Sequence, residues 1–427
     1  MSGRNNSTPS SVLCSISIYF KEIISKISLK STLSLQFVLE QSERMWVKMK
    51  KFILYLFILL YFMSSVKVYA ESYPSISAKA AIVMDQETGR VLYEKNSHEK
   101  LPMASTTKIM TLLVALEKGN LNDIVTVSKR AASVGGSSIW LSPGEKIDME
   151  SLLYGLMLNS GNDAATAIAE HIGGSVESFV EIMNQKAKEI GAYNTHFVTP
   201  SGLDIGIDDH YTTAYDLALI TRYAFRYPKF TEIVSTKEKT IPWEGKEWDR
   251  YLRNKNKLLW IYEGADGVKT GFTNKAGRCL VSSATREGRR FIAVVLNSPP
   301  MWEDSMKILD YAFSKYKPYK VLEKGELIKK VKVEGGKENT VSVVSEKACV
   351  IPALEEEKQN VNLEFYLPKS VKAPVEKGEK IGYVTVKIGE EKVCDVNCVA
   401  LKKVEQEEFG YNFQKIIKNW LKVLNPS

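Results

Sequence analysis

Apolar residues recur at helical spacing in several stretches of the chain. Ile109, Leu112, Leu113 and Leu116 do so with no Pro or Gly before Gly119, which predicts a helix. Leu152, Leu153, Leu156 and Met157 follow Asp148, a residue type that caps helix starts. That helix should stop at Asn159-Ser160-Gly161-Asn162-Asp163, a small polar turn, with a further helix beginning over 164–171. Thr213-Ala214-Tyr215-Asp216 has the form of a capping box ahead of Leu217, Ile220 and Ala224. Elsewhere the runs are β-prone. Segments 80–85 and 91–95 flank Thr88-Gly89-Arg90 and predict a hairpin; 265–273, 279–284 and 291–296 follow one another as in an antiparallel meander. Gly135-Gly136-Ser137-Ser138 reads as a flexible loop and Ser142-Pro143-Gly144-Glu145 as a turn.

After about Tyr319 the period changes to two. Segments 329–333, 340–344, 361–365 and 383–388 alternate, separated by Gly, Pro and Asn turns, and predict a small all-β domain. At the C-terminus, Phe409, Phe413, Ile416, Ile417, Trp420, Leu421 and Leu424 share one helical face, with Asn412, Lys415, Lys418, Asn419 and Lys422 opposite. Such a helix over 409–424, following Glu405-Gln406-Glu407-Glu408, suits the surface of an anionic membrane. The N-terminus has a different logic. Met49-Lys50-Lys51, twelve apolar residues from Phe52 to Met63 and the small-residue end Val68-Tyr69-Ala70 make a secretory signal peptide, too short in its apolar run to span a bilayer. Export signals begin at the N-terminus, so Met45 or Met49 is the expected translation start and 1–48 an over-long extension. The expected organisation is thus 1–48 extension, 49–70 signal peptide, 71–318 first domain, 319–405 small β-sandwich domain and 406–427 membrane-associating helix.

Composition narrows the class further. The chain of 427 residues is 44% hydrophobic, enough for a sizeable core and for two folded domains. Its 58 Lys and Arg against 50 Asp and Glu are spread along the chain. No basic block with interleaved aromatics occurs, which argues against nucleic acid as a partner. Beyond the leader lie Cys279, Cys349, Cys394 and Cys398, too few for a disulfide scaffold; Cys394-x-x-x-Cys398 leaves local pairing open. His98, His171, His196 and His210 show no ligand-type spacing, so no metal and no cofactor are expected.

The candidate chemistry starts at Ser105. It falls at or just inside a helix N-terminus, where free N–H groups favour developing negative charge. Lys108, three residues on, shares its face, and a hydroxyl beside a neutral amine is a workable nucleophile and base. Ser160-Gly161-Asn162 sits in the polar turn between two helices, placed to aim side chains into a cleft. Lys269-Thr270-Gly271 lies on the first strand of the meander, where glycine permits close approach of a ligand backbone. Each motif alone is weak.

Together, and in this order, Ser-x-x-Lys, Ser-x-Asn and Lys-Thr-Gly resemble the penicillin-recognising serine enzymes, penicillin-binding proteins and β-lactamases. The runs Asn159-Ser160-Gly161-Asn162-Asp163-Ala164, Thr199-Pro200-Ser201-Gly202-Leu203-Asp204 and 264–273 are similar to those of the low-molecular-mass D-alanyl-D-alanine carboxypeptidases, a likeness covering about residues 75–405. Two departures stand out: Gly161 where the pattern has Asp, and Phe272 after Lys-Thr-Gly where some relatives are more polar. The resemblance implies an α/β (α+β) transpeptidase/β-lactamase-like domain followed by the small all-β domain. It also implies release of the terminal D-alanine from a peptidoglycan stem pentapeptide; the leader and the C-terminal helix would put the enzyme at the outer face of the cytoplasmic membrane.

In that reaction Ser105 would be the nucleophile, Lys108 its base and Ser160 the proton carrier to the leaving amine. Asn162 would bind substrate and hold Lys108, Lys269 and Thr270 would meet the substrate carboxylate, and Gly271 would let the substrate approach. Backbone N–H groups of Ser105 and Phe272 would form the oxyanion hole. β-Lactam antibiotics would trap Ser105 as an ester. The nearest rival is a D,D-endopeptidase on cross-links, which uses the same residues. A class A β-lactamase would need a Glu-x-x-Leu-Asn run between Asn162 and Lys269, and none occurs. A silent wall-binding protein is disfavoured because every motif side chain is present.

Overall fold

A computed structural model describes residues 73–407, with short fragments at 45–46, 48–55, 417–418 and 420–421. Those fragments apart, the predicted extension, leader and C-terminal amphipathic helix lie outside the described residues. No helix among the described residues is long and apolar enough to cross a membrane.

The first domain is built on one antiparallel sheet. Strands β1 (Ala80–Asp85) and β2 (Val91–Lys95) form the predicted hairpin, and β3 (Ala265–Thr273), β4 (Gly277–Arg286) and β5 (Arg289–Leu296) the predicted meander. They join as β2-β1-β5-β4-β3, with Ile82 of β1 opposite Val294 of β5. Everything between β2 and β3 is therefore an insertion, mostly helical, that folds over one face. Alternation divides the side chains of β1 accordingly. Ala80, Ile82 and Met84 enter the core shared with the inserted helices, while Ala81 and Val83 face Ile308, Leu309 and Ala312 of the last helix, Met301–Lys315. β3 is left at the sheet edge.

Helix α1 (Lys108–Lys118) runs through the middle of this inserted layer. Every residue from Lys108 to Ala115 is buried, so the apolar stripe read from the sequence marks only part of a helix enclosed on all sides. Helix α2 (Met149–Leu158) starts as expected: the Asp148 carboxylate accepts from Ser151 N–H at 2.8 Å, a cap worth about 1 kcal/mol. Helix α3 (Asn162–Gly173) follows after three residues. Helix α4 (Ala214–Ala224) carries half of its predicted box. Thr213 Oγ1 accepts from Asp216 N–H at 3.0 Å, but the Asp216 carboxylate accepts from Asn194 N–H and the Thr195 hydroxyl instead of from the Thr213 backbone N–H.

The second domain is all-β, with strands β6 (Lys317–Leu322), β7 (Leu327–Glu334), β8 (Thr340–Ser345), β9 (Cys349–Ala353), β10 (Val361–Tyr366), β11 (Ser370–Lys372), β12 (Lys380–Ile388) and β13 (Glu391–Ala400). Six of them order as β10-β12-β13-β8-β7-β11, and β6 with β9 makes a separate two-stranded ribbon. Val333, Val343, Ile351, Val384 and Val396 join sheet and ribbon in one core. Cys394 and Cys398 lie on the single strand β13, and four extended residues separate their Cα atoms by about 13 Å, twice what a disulfide spans. Local pairing, left open by their spacing, is excluded; both are free thiols.

Candidate active site

The turn that carries Ser105 is a 3-10 turn, Ala104–Thr107, leading directly into α1. Ala104 has φ +49°, a conformation that L side chains adopt only when the surroundings impose it. Gly202, whose φ is +79°, lies against this turn: a Cβ on it would stand 1.9 Å from the Ala104 carbonyl oxygen. The turn is tied from its other side as well. His210 Nδ1 accepts from Val198 N–H at 2.9 Å, so Nε2 bears the proton and donates to Thr107 Oγ1 at 2.8 Å. Thr107 Oγ1 in turn donates to the Ala104 carbonyl at 2.8 Å. Burial pushes the His210 pKa down to about 4, so the ring is neutral at physiological pH and supports the turn.

Lys108 is fully buried, and its ammonium position has three partners. Nζ is 2.7 Å from Asn162 Oδ1, 2.7 Å from the Ser201 carbonyl and 3.0 Å from Ser105 Oγ. The Asn162 amide cannot be reversed at little cost, because its Nδ2 donates to the Gly135 carbonyl at 2.8 Å. Two of the three partners are thus pure acceptors, while the third, more distant one is a hydroxyl. A neutral amine has two N–H donors and one lone pair, and this set matches it: donors to Asn162 and Ser201, lone pair toward Ser105 O–H. The electrostatics agree in direction. Burial holds the Lys108 pKa well below the ordinary lysine value, helped by the cations of Lys269 and Lys255 and opposed by Asp163.

The polar turn between α2 and α3 places the next group. Ser160 is buried with φ +63°, and Asn162 opens α3. The loop at Gly135-Gly136-Ser137-Ser138 is not free as its composition suggests. Asn162 N–H donates to the Ser137 carbonyl at 2.7 Å, and Asp163 accepts from the Ser138 hydroxyl and from the N–H groups of Ile139 and Leu141. Gly136, at φ +87°, lies where a Cβ would meet Asn162 Nδ2 at 2.7 Å.

Strand β3 closes the site. At Gly271 a Cβ would come within 3.1 Å of Ser105 N and 3.0 Å of the Met103 carbonyl, so the bare glycine lets the edge strand lie against the Ser105 turn. Lys269, buried, donates to the Thr270 carbonyl at 2.9 Å, and its pKa is lowered to about 7 by burial and then by Lys255. Thr270 is half-buried, whereas the Phe272 ring is 60% exposed beneath the Arg278 guanidinium. An edge strand with a glycine beside the hydroxyl suits an extended peptide added as a further strand.

Direct hydrogen bonds therefore join Ser105, Lys108 and Asn162, backbone contact brings in Gly271, and charge couples Lys269 to them. Four contributors were not picked out from the residues themselves: the Ser201 carbonyl, Lys255, Asp163 and His210. Lys255 reaches Ser137 Oγ at 3.3 Å from a loop tied by its own N–H to the Leu158 carbonyl. Ser201 fell within a run that carried a signal only through the resemblance, and Asp163 within the polar turn between two helices, where no role was given to it.

The sequence model of the D-alanyl-D-alanine carboxypeptidase family, Peptidase_S11, matches residues 67–300. The chain belongs to this family. It is a serine carboxypeptidase. The penicillin-binding protein 5 C-terminal domain model matches residues 316–406, the all-β domain. The carboxypeptidase DacF of Bacillus subtilis is 38% identical over 354 residues, 81% of this chain and 90% of the relative. DacC of Escherichia coli is 33% identical over 352 residues, 79% and 86% of the two chains. Among solved structures, penicillin binding protein 5 from Haemophilus influenzae is similar with a TM-score of 0.65 and 32% identity, covering 78% of this chain and 99% of its own. A variant of the Streptomyces K15 DD-transpeptidase is similar with a TM-score of 0.54 and 37% identity, covering 57% and 100%.

Proposed function

We propose that this carboxypeptidase removes the terminal D-alanine from peptidoglycan stem pentapeptides through an acyl-enzyme on Ser105. The observation that carries the reading is the donor–acceptor set around Lys108 Nζ, which fits a neutral amine receiving the Ser105 proton. The serine oxygen attacks the penultimate D-alanine carbonyl. The resulting oxyanion is met by backbone N–H groups of Ser105 and Phe272, donors that in measured cases are worth about 2.7–4 kcal/mol each. Ser160 passes a proton to the departing amine, and the C–N bond breaks. Lys269 and Thr270 hold the carboxylate of the leaving residue. Water then attacks the ester, with Lys108 again taking the proton, and Ser105 is released. A β-lactam presents the same carbonyl in a ring whose leaving group stays attached, so its ester persists on Ser105.

The leader read at 49–70 would export the chain, and the amphipathic pattern over 409–424 would hold it at the outer face of the cytoplasmic membrane. The test of the activity is product analysis with a diacyl-Lys-D-Ala-D-Ala peptide and with a cross-linked peptide dimer. Free D-alanine from the first, with little cleavage of the second, is expected. Preferential cleavage of the dimer would make the enzyme an endopeptidase.

A further inference from the structure

Strand β9 is one of the elements on which the two domains meet; Glu391 at the start of β13, 3.3 Å from Arg90, is on another. Arg289 of the first domain donates from Nη1 to the Val350 carbonyl at 2.9 Å while its Nη2 donates to Asp85 at 2.8 Å. Arg90 donates from Nη1 to the Pro352 carbonyl at 2.6 Å and pairs with Glu357 through both terminal nitrogens. Yet among the described strands β9 is paired only with β6, and no backbone ladder joins this ribbon to the six-stranded sheet. Besides the apolar core the two share, a pair of sulfurs reaches across. Cys349 Sγ on β9 and Cys394 Sγ on β13 are 3.5 Å apart, from positions 45 residues apart in the chain, and both are free. They line a cavity of about 670 Å³ between the domains, together with Glu87, Arg222, Lys347 and Lys392. Cys394 is partly exposed there and Cys349 is buried behind it.

We propose that Cys349 and Cys394 are a modification site, a dithiol that an external disulfide converts into a cross-link between β9 and β13, fixing a strand on which the domains are latched. The sulfurs are at contact distance, and rotation of the side chains supplies the approach to the bonded separation of about 2 Å. Cys394 Sγ, the exposed sulfur, gives its proton to the neighbouring Cys349 thiolate as it attacks one sulfur of a small disulfide RSSR and expels RS⁻. Cys349 then attacks Cys394 Sγ in the mixed disulfide, and the second RS⁻ leaves. The two protein thiols give up two protons, which end on two RSH, and two electrons, which reduce RSSR; one S–S bond breaks and one forms. The hydrogen bond between the sulfurs favours the first ionisation of the pair at Cys349, aided by Lys347 and Arg289, and holds the Cys394 pKa up, so Cys349 is the base of the first step and, once ionised again, the nucleophile of the second. The other cysteines among the described residues are not equipped for this. Cys279 and Cys398 are buried, and their sulfurs lie against backbone carbonyls, of Pro102 and Ala276 and of Val396, instead of a second thiol.

The experiment uses the full chain, reduced and then incubated with oxidised glutathione. Peptide mapping under non-reducing conditions should find Cys349 joined to Cys394, with Cys279 and Cys398 still alkylatable after unfolding. The oxidised protein should melt on the order of 10 °C higher than the reduced one, because the cross-link closes a long loop in the unfolded chain. Turnover of the D-Ala-D-Ala peptide should be unchanged, since none of these residues belongs to the Ser105 site. Cys349→Ser should stop at a glutathione adduct on Cys394 and lose the rise in melting temperature; Cys394→Ser provides the reciprocal check. Cys349 and Cys394 still free after oxidation, a different pairing, or a cross-link with no rise in melting temperature would overturn the proposal.

Discussion

Asn162 Oδ1 accepts from Lys108 Nζ at 2.7 Å, and the same amide is held by its Nδ2 on the Gly135 carbonyl at 2.8 Å. The amide thus gives the lysine an acceptor without giving it a negative charge. That distinction decides the protonation state, because a carboxylate at the same distance would favour the ammonium form.

Asn162→Asp tests this directly. The new carboxylate should raise the Lys108 pKa, and since the neutral amine is the active form, the acidic limb of kcat/KM should move to higher pH. A tenfold smaller fraction of neutral amine means an about tenfold slower rate below that limb, so a loss of at least about tenfold at pH 7 is expected. Measured pH profiles with an acidic limb left in place would remove Lys108 from the role of base.

Lys269 predicts the opposite limb. With a pKa lowered to about 7 in the free enzyme, it is cationic below that pH and neutral above, so attraction for the substrate carboxylate fades as pH rises. The alkaline fall of kcat/KM should therefore begin near neutrality. Lys269→Arg keeps its charge throughout and should abolish that fall while weakening binding, whereas Lys108→Arg should cut acylation by orders of magnitude. Stopped-flow acylation by a chromogenic β-lactam reads both; equal, mild losses would contradict the division of roles.

His210 connects pH to stability. Its folded-state pKa of about 4 lies below the ordinary histidine value of 6.5, so between these values the unfolded chain takes up a proton that the folded one does not. Its contribution is constant above pH 6.5 and is lost as pH falls toward 4, by on the order of 3 kcal/mol in all. His210→Asn should be less stable at pH 7 and should lose less on going to pH 5. Parallel pH dependence of denaturant midpoints in both proteins would assign the acid sensitivity elsewhere.

Much of this site was legible in the sequence, for reasons particular to each residue. Ser105 and Lys108 are three apart on one helical turn, so local geometry alone brings them together. Lys269 and Gly271 sit on a strand whose β-prone run is plain, and Asn162 stands in a turn between two apolar helices. The rest depended on contacts that leave no local trace. The Ser201 carbonyl is a backbone group with no residue-type signature. Lys255 comes from a loop distant in the chain, and the polar run around it, Arg253-Asn254-Lys255-Asn256-Lys257, carries no motif. The 135–138 loop looked flexible because Gly and Ser permit many conformations; Asn162 and Asp163, more than twenty residues on, select one. Asp216 left the capping box because Asn194 and Thr195 offered donors that a local reading cannot see.

The C-terminal segment has the periodicity of a surface helix, and a bilayer is its test. Full-length mature protein should float with anionic vesicles, and a version ending at Glu408 should not. Full-length protein remaining unbound would remove the anchor and leave the enzyme assignment untouched.

The central claim is that Ser105 is the nucleophile, and intact-mass spectrometry after incubation with benzylpenicillin tests it most directly. The wild-type chain should gain one penicillin, mapped to the peptide containing Ser105, and Ser105→Ala should gain none. An adduct that survives in Ser105→Ala would contradict the account.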